Sequence, residues 1–274
     1  MLITGASGFV GSALMGLLVT KAWDILPLVR RKYGLQDEVI IDLCDSDISS
    51  KLNGLPEVDT VVHLGAQVDF KASVEDLYAP NVFATECLAR WASKINAHFI
   101  FASTAIVCGA KATLITPASE TDADTDYGSS KLLAEEKIKS LPVRHAILRI
   151  GGVFGKDGPE HLGLNRAISR AMTGNAPTQY GRGEIKRNYI YVKDLAGVIY
   201  YCMENQIEGT HLVAGTRASS MGEMLQAICD VFLPEGNIIK TGTESGGDQL
   251  IENSEKLPGG KTFQEALLDI KRCE

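Results

Sequence analysis

The sequence predicts an α/β fold, a doubly wound parallel sheet followed by a small, irregular C-terminal lobe. Three observations predict it. Short apolar runs alternate with helical patterns through residues 1–150. The runs are apolar on both faces, as strands buried in a parallel sheet are. A glycine-rich turn joins the first run to the first helical pattern, the arrangement found where such sheets bind ligands.

The strand-like runs are residues 1–4, 25–30, 39–43, 60–64, 98–103 and 145–150, and helical stretches at 12–21, 81–94 and 129–141 separate them. From Gly151 the texture changes. Glycine and proline become frequent over 151–183, a helical run covers 192–203, residues 236–260 read as loop, and 263–270 form a short amphipathic helix.

Composition narrows the function. With 274 residues, 45% hydrophobic and 22% charged, the chain can bury a core and is not disordered. Lys plus Arg is 27 against Asp plus Glu 34, a net charge of -7, which suits no phosphate-tracking nucleic-acid binder. No apolar run reaches the ~18–20 residues that cross a bilayer, and no signal-peptide pattern opens the chain. Cys44, Cys87, Cys108, Cys202, Cys229 and Cys273 show no zinc-type spacing, and the five histidines are scattered. We expect a cytoplasmic protein with reduced thiols, no metal site and no membrane or nucleic-acid partner.

The first turn reads Thr4-Gly5-Ala6-Ser7-Gly8-Phe9-Val10-Gly11. Glycine permits positive φ and leaves no Cβ in the way of a pyrophosphate. The helix that follows offers unpaired N–H groups and the positive end of its dipole. Gly5, Ser7, Gly8, Phe9, Val10 and Gly11 are therefore expected to bind a dinucleotide. The second strand-like run ends Val29-Arg30-Arg31-Lys32, without the acid that would hold the ribose hydroxyls of NAD. Arg30 and Arg31 suit a ribose 2′-phosphate instead, so NADP is expected ahead of NAD. Asp42 and Leu43, ending the third run, are placed for the adenine edge.

Tyr127 and Lys131 lie four apart at the start of a helical pattern, with Ala134, Ile138 and Leu141 on the same stripe. A lysine on a sheet-facing stripe needs a partner. Its charge favours a phenolate, which would lower the tyrosine pKa for acid–base work. Ser103 and Thr104 end a buried strand on the ligand edge, where a hydroxyl can bind a substrate oxygen.

Taken with His63-Leu64-Gly65-Ala66, Asn81-Val82, Leu148-Arg149, Phe154-Gly155 and Arg187-Asn188-Tyr189-Ile190-Tyr191-Val192-Lys193-Asp194, these motifs resemble the extended short-chain dehydrogenase/reductase family of nucleotide-sugar epimerases and dehydratases. The resemblance implies a Rossmann dinucleotide-binding domain over 1–155 and a mainly substrate-binding lobe over 156–274, with a segment near 188–203 returning to the first domain. It implies Tyr127 as acid–base residue, Lys131 as its ribose-holding partner and Thr104 as the catalytic hydroxyl. Leu64, Gly65 and Ala66 would line the cofactor, Asn81 would be structural, and Arg187 would contact a substrate phosphate. A homodimer is the implied assembly.

The departures are specific. Ala105 and Ile106 stand where family dehydratases carry an Asp-Glu pair, so a 4,6-dehydratase is not expected. Cys108 replaces a common tyrosine and Asn188 a common aspartate, and residues 236–255 hold no second arginine for a pyrophosphate. The expected activity is an NAD(P)-dependent epimerase or 4-ketoreductase of a nucleotide-linked sugar. An NADP-dependent reductase of a small ketone is the alternative. A dinucleotide-sensing protein without turnover would need the glycine turn but not the Tyr127–Lys131 pair.

Overall fold

Buried aliphatic and aromatic residues dictate a central sheet of seven strands. In chain order these are β1 (Leu2–Thr4), β2 (Leu26–Val29), β3 (Val39–Ile40), β4 (Thr60–His63), β5 (His98–Thr104), β6 (His145–Ile150) and β7 (Gly209–Val213). They lie in the order β7-β6-β5-β4-β1-β2-β3, and the registers from β1 to β6 are all parallel. The computed structural model describes residues 1–21, 23–160, 162–243 and 246–272; Cys273 and His161 lie outside the described residues.

All three residues of β1 and all four of β4 are buried, as two-sided burial in a parallel sheet requires. On one face Leu2, Val61, Phe99, Phe101 and Ile147 pack with Leu88, Trp91, Ala134 and Ile138 from the flanking helices. The strand order reverses between β1 and β4. Crevices at such points receive ligands beyond the carboxyl ends of the strands.

The chain divides into two compact units, Met1–Ala110 with Ser119–Ile150 and Ala196–His211, and Lys111–Ala118 with Gly151–Leu195 and Leu212–Glu274. The first is the sheet with its helices. In the second, helix Met221–Phe232 packs against both Gly163–Met172 and Phe263–Arg272. A capping box between Ser220 and Glu223 starts Met221–Phe232.

The structure adds features that local patterning does not predict. β7 joins the sheet through a five-residue run whose first two residues are exposed. Helix Gly163–Met172 forms inside the stretch read as irregular, burying Leu164, Ala167, Ile168 and Ala171 at helical spacing. Residues 236–260 carry two short strands, Ile239–Thr241 and Leu250–Ile251, paired in parallel with Thr178–Tyr180 and Leu114–Ile115. No described helix is long and apolar enough to cross a membrane.

Candidate active site

The glycine turn is shaped by close contacts. Gly5 has φ +68°, and a Cβ there would lie 2.7 Å from the Gly65 nitrogen after β4. A Cβ on Gly11 would lie 2.1 Å from the Gly5 carbonyl oxygen. Backbone packing thus excludes side chains at both positions. Gly8 caps α1 (Phe9–Leu18) in an extended conformation and offers no side-chain acceptor, and no acid stands in the first turn. The amides of Phe9 and Val10, with Ser7 before them, are left for an anion.

Beside this turn, the pairing of Val29 with Ile40 sets the ends of β2 and β3 together. Arg30 and Arg31 are exposed there, and Asp42 and Leu43 are half-buried. Asp42 Oδ1 accepts the Cys44 amide at 2.9 Å. Leu64, Gly65 and Ala66 follow β4 and are half-buried at the same sheet edge. This cradle fits a dinucleotide: the Cβ-free turn clears space for a pyrophosphate.

Helix α2 (Ala84–Lys94) and helix α3 (Asp126–Lys139) flank the sheet. The Thr125 hydroxyl caps α3 by accepting the Gly128 amide at 3.0 Å. The helix lies along β5. Lys131 Nζ sits 4.0 Å from the centroid of the Phe101 ring, and Ser103 Oγ donates to Glu135 Oε1 at 2.6 Å. Lys131 is only 2% exposed. Burial pushes its ammonium down to about 7, with Glu135 pulling the other way.

Two expectations need correction. Lys131 is expected to lower the Tyr127 pKa, but burial dominates and pushes the phenol up to about 12. Ser103 was to bind substrate, but it is buried and its proton is committed to Glu135. The cause is Glu135 itself, a fully buried carboxylate that must be satisfied. Arg149 donates to it from Nη2 at 2.8 Å and Nε at 3.1 Å, and Lys139 Nζ donates at 3.1 Å. Burial opposes ionisation of Glu135, but the Arg149 and Ser103 hydrogen bonds outweigh it and hold the carboxyl below the usual range. Thr104, the next residue, is half-buried, and its oxygen accepts the Ile106 amide at 3.4 Å.

Sequence reasoning missed Glu135. One signal was available: it continues the stripe of Tyr127 and Lys131 at the same four-residue spacing.

Arg187 belongs to the second unit. Its strand, Lys186–Arg187, pairs antiparallel with Ser219–Ser220. Arg187 Nη1 donates to the Lys186 and Gly247 carbonyls, both at 2.8 Å. With Gly152, Asn188, Tyr189, Gln249 and Ile251 it lines a cavity of about 70 Å³.

A family model described as the NAD dependent epimerase/dehydratase family matches residues 1–215. The chain belongs to that family. A "UDP-N-acetyl-alpha-D-glucosaminuronate decarboxylase" of Bacillus cytotoxicus is 28% identical over 83% of this chain and 78% of its own length. A Methanocaldococcus jannaschii protein, named provisionally as a UDP-glucose 4-epimerase, is 26% identical over 83% of this chain and 81% of its own. Among solved structures, a UDP-N-acetylglucosamine 4-epimerase of Bacillus cereus superposes with a TM-score of 0.85 at 22% identity, covering 99% of this chain and 95% of that one. That likeness shows the fold. As a member of the NAD dependent epimerase/dehydratase family, the chain is an enzyme of the extended short-chain dehydrogenase/reductase type.

Proposed function

We propose that this enzyme is an NAD(P)-dependent epimerase or 4-ketoreductase of a nucleotide-linked sugar, with Tyr127, Lys131 and Thr104 as its catalytic residues. The observation that carries the proposal is Lys131, a buried ammonium with an aromatic ring beneath it and no hydrogen bond to another described residue. Such a group calls for a polar ligand, and the ribose hydroxyls of a dinucleotide held by Gly5, Gly8 and Gly11 answer to it. The nicotinamide, when bound, supplies hydride chemistry. Tyr127 takes and returns the hydroxyl proton of the substrate. Thr104 orients the reacting oxygen with its hydroxyl, and Lys131 holds the ribose and favours the phenolate once a ligand relieves its own burial. Arg187 contacts the substrate diphosphate.

The named relatives support a nucleotide-sugar substrate, since both are described by UDP-sugar chemistry. For the cofactor we read NADP ahead of NAD, on the exposed Arg30 and Arg31 at the end of β2. Charge-assisted hydrogen bonds of ~1.5–3 kcal/mol would give NADP roughly ten- to a hundred-fold tighter binding. Arg30→Asp should reverse the preference in a binding titration; equal dissociation constants in the wild type would remove NADP from the reading. The family resemblance makes a homodimer the expected assembly and the cytoplasm the expected compartment.

One observation favours the second reading, an NADP-dependent reductase of a small ketone. Phe70 is 57% exposed, and its ring meets the Tyr127 ring edge-on at 5.4 Å, an apolar surface beside the proposed acid–base group. The substrate turned over separates the two. The first reading acts on UDP-sugars, returning the cofactor unchanged as an epimerase or consuming it as a 4-ketoreductase, whereas the second consumes nicotinamide absorbance with a neutral ketone and leaves UDP-sugars untouched.

A further inference from the structure

His63, at the end of β4, is buried and has no part in the acid–base chemistry above. Its two ring nitrogens are both engaged, Nδ1 with Thr4 Oγ1 at 2.6 Å and Nε2 with Thr85 Oγ1 at 2.9 Å. The neighbours decide which nitrogen carries the proton. The Thr85 hydroxyl donates to the Asn81 carbonyl at 2.7 Å, so its oxygen must accept from His63, and Nε2 carries the hydrogen. Burial, with the charge of Lys131 added, holds His63 well below the ordinary histidine range, so the ring is neutral and Nδ1 is an acceptor. Thr4 therefore donates to Nδ1, and its own oxygen accepts the Gly65 amide at 3.0 Å.

Beyond Thr85 the chain of bonds continues through one residue. The Asn81 side chain accepts the Gln67 amide at 2.8 Å and donates to the Gln67 carbonyl at 3.0 Å and to Ser130 Oγ at 3.1 Å. Ser130 then donates to the Tyr127 carbonyl at 2.8 Å. From Gly65 to the Asn81 carbonyl, and again from the Asn81 side chain to the Tyr127 carbonyl, the donors along the path point the same way, with the Gln67 backbone bracing Asn81 from the side. Gly65 is the residue against which Gly5 leaves no room for a Cβ. Thr4, His63, Asn81, Thr85 and Ser130 are each at most 1% exposed, so no water competes for these bonds.

We infer that His63, fixed as its Nε2–H tautomer, is a positioning residue that couples the glycine turn receiving the dinucleotide to the helix turn carrying Tyr127. The inference rests on the dinucleotide reading of that turn. A ligand that settles the Gly5–Gly65 contact would order the Tyr127 carbonyl through this one-way chain. Coupling of this kind has to be measured, because spatial continuity alone does not establish it.

The test is amide hydrogen exchange with ADP, which can fill the glycine turn but carries no nicotinamide ribose to touch Tyr127 or Lys131. In the wild type, ADP should slow exchange at residues 5–11 and also, by about fivefold or more, at residues 128–131. Two variants cut the chain at different points. His63→Asn keeps an acceptor for Thr4 but does not reach Thr85, and Ser130→Ala removes the last link while leaving His63 intact. Both should keep the slowing at 5–11 and lose it at 128–131. Should His63→Asn fail to fold, Ser130→Ala decides alone. Slowing at 5–11 with unchanged slowing at 128–131 in the variants, or none there in the wild type, overturns the coupling only. No slowing at 5–11 in the wild type overturns the dinucleotide reading and the coupling with it.

Discussion

Around Tyr127 the protein places charges where almost no water reaches, whereas Arg187 is half-exposed and held by main-chain carbonyls. Lys131 is 2% exposed and Glu135 fully buried, each satisfied or strained by side chains of β5, β6 and α3. Arg187 leans on Lys186 and Gly247, contacts that nearly any sequence could provide. On the roles proposed for them, the difference teaches that reaction chemistry would rest on burial, where one changed atom leaves a charge unpaired. Recognition would rest on a more open group whose loss costs binding rather than stability. The expected outcomes below either widen that contrast or erase it.

The largest effect should come at Tyr127. Tyr127→Phe removes the transferable proton and keeps the ring, including its edge contact with Phe70. Turnover should fall ~10²–10⁴-fold, with the dissociation constant for NADP nearly unchanged. Near-normal turnover on a true substrate would displace the site from Tyr127.

Glu135→Gln should follow, as a loss of stability. It leaves the Arg149 side chain, 11% exposed, without its carboxylate. Breaking a buried pair from one side costs about 3–5 kcal/mol, read as a shift in the urea midpoint. The surface pair of Lys51 and Asp45, 39% and 32% exposed, serves as the contrast. Lys51→Ala should cost no more than about 1 kcal/mol.

Lys131 gives the contrast a pH signature. The folded ammonium sits at about 7 against an ordinary value of 10.5. Between those values the unfolded chain binds a proton that the folded chain does not, so stability should rise with pH across that window. Below it both states are protonated and the burial cost is fully present. Lys131→Met should therefore be more stable than the wild type near neutral pH, by on the order of a few kcal/mol, with the gap closing toward pH ~10. Thermal melts of both proteins over this range read it directly. A constant gap would mean that the folded ammonium is not strained.

The same contrast governs what could be read from the sequence. The glycine turn and the Tyr127–Lys131 spacing are legible because backbone approach and helix geometry admit few residues there. Ser103 and Thr104 looked equivalent, yet neighbours on a strand point to opposite faces, and only the packed helix α3 shows which one meets Glu135. Glu135 reads as a surface charge until Arg149, fourteen residues on, folds against it. His63 stands in a family motif and Thr85 is ordinary in the sequence, but the link between them is legible in neither, because it is a long-range hydrogen-bond direction. Helix Gly163–Met172 was hidden by the glycine and proline around it, and β7 by its exposed first residues.

Apart from the Lys51 control, Arg187 should give the smallest effect and the sharpest test of the recognition side. Nη1 already serves two carbonyls, and Nε and Nη2 make no hydrogen bond to other described residues. Those donors, in the fork geometry that matches phosphate oxygens, are what a diphosphate would use. A substrate diphosphate carries charge that must be paired when it leaves water. Residues 236–255 offer no arginine to share the task, although Arg182, Lys186 and Lys240 stand in the same unit. Arg187→Ala should thus weaken UDP-sugar binding by about 1.5–3 kcal/mol, roughly ten- to a hundred-fold. NADP binding should be unchanged, and stability should drop by no more than about 1 kcal/mol through the lost carbonyl contacts. Arg187→Lys keeps the charge but not the fork, so its loss should fall between the wild type and Arg187→Ala. Calorimetric titration with UDP-sugars and then with neutral ketones reads all three proteins. Saturable binding of the ketones alone, with Arg187→Ala silent, would transfer the chemistry at Tyr127 to the small-ketone reductase.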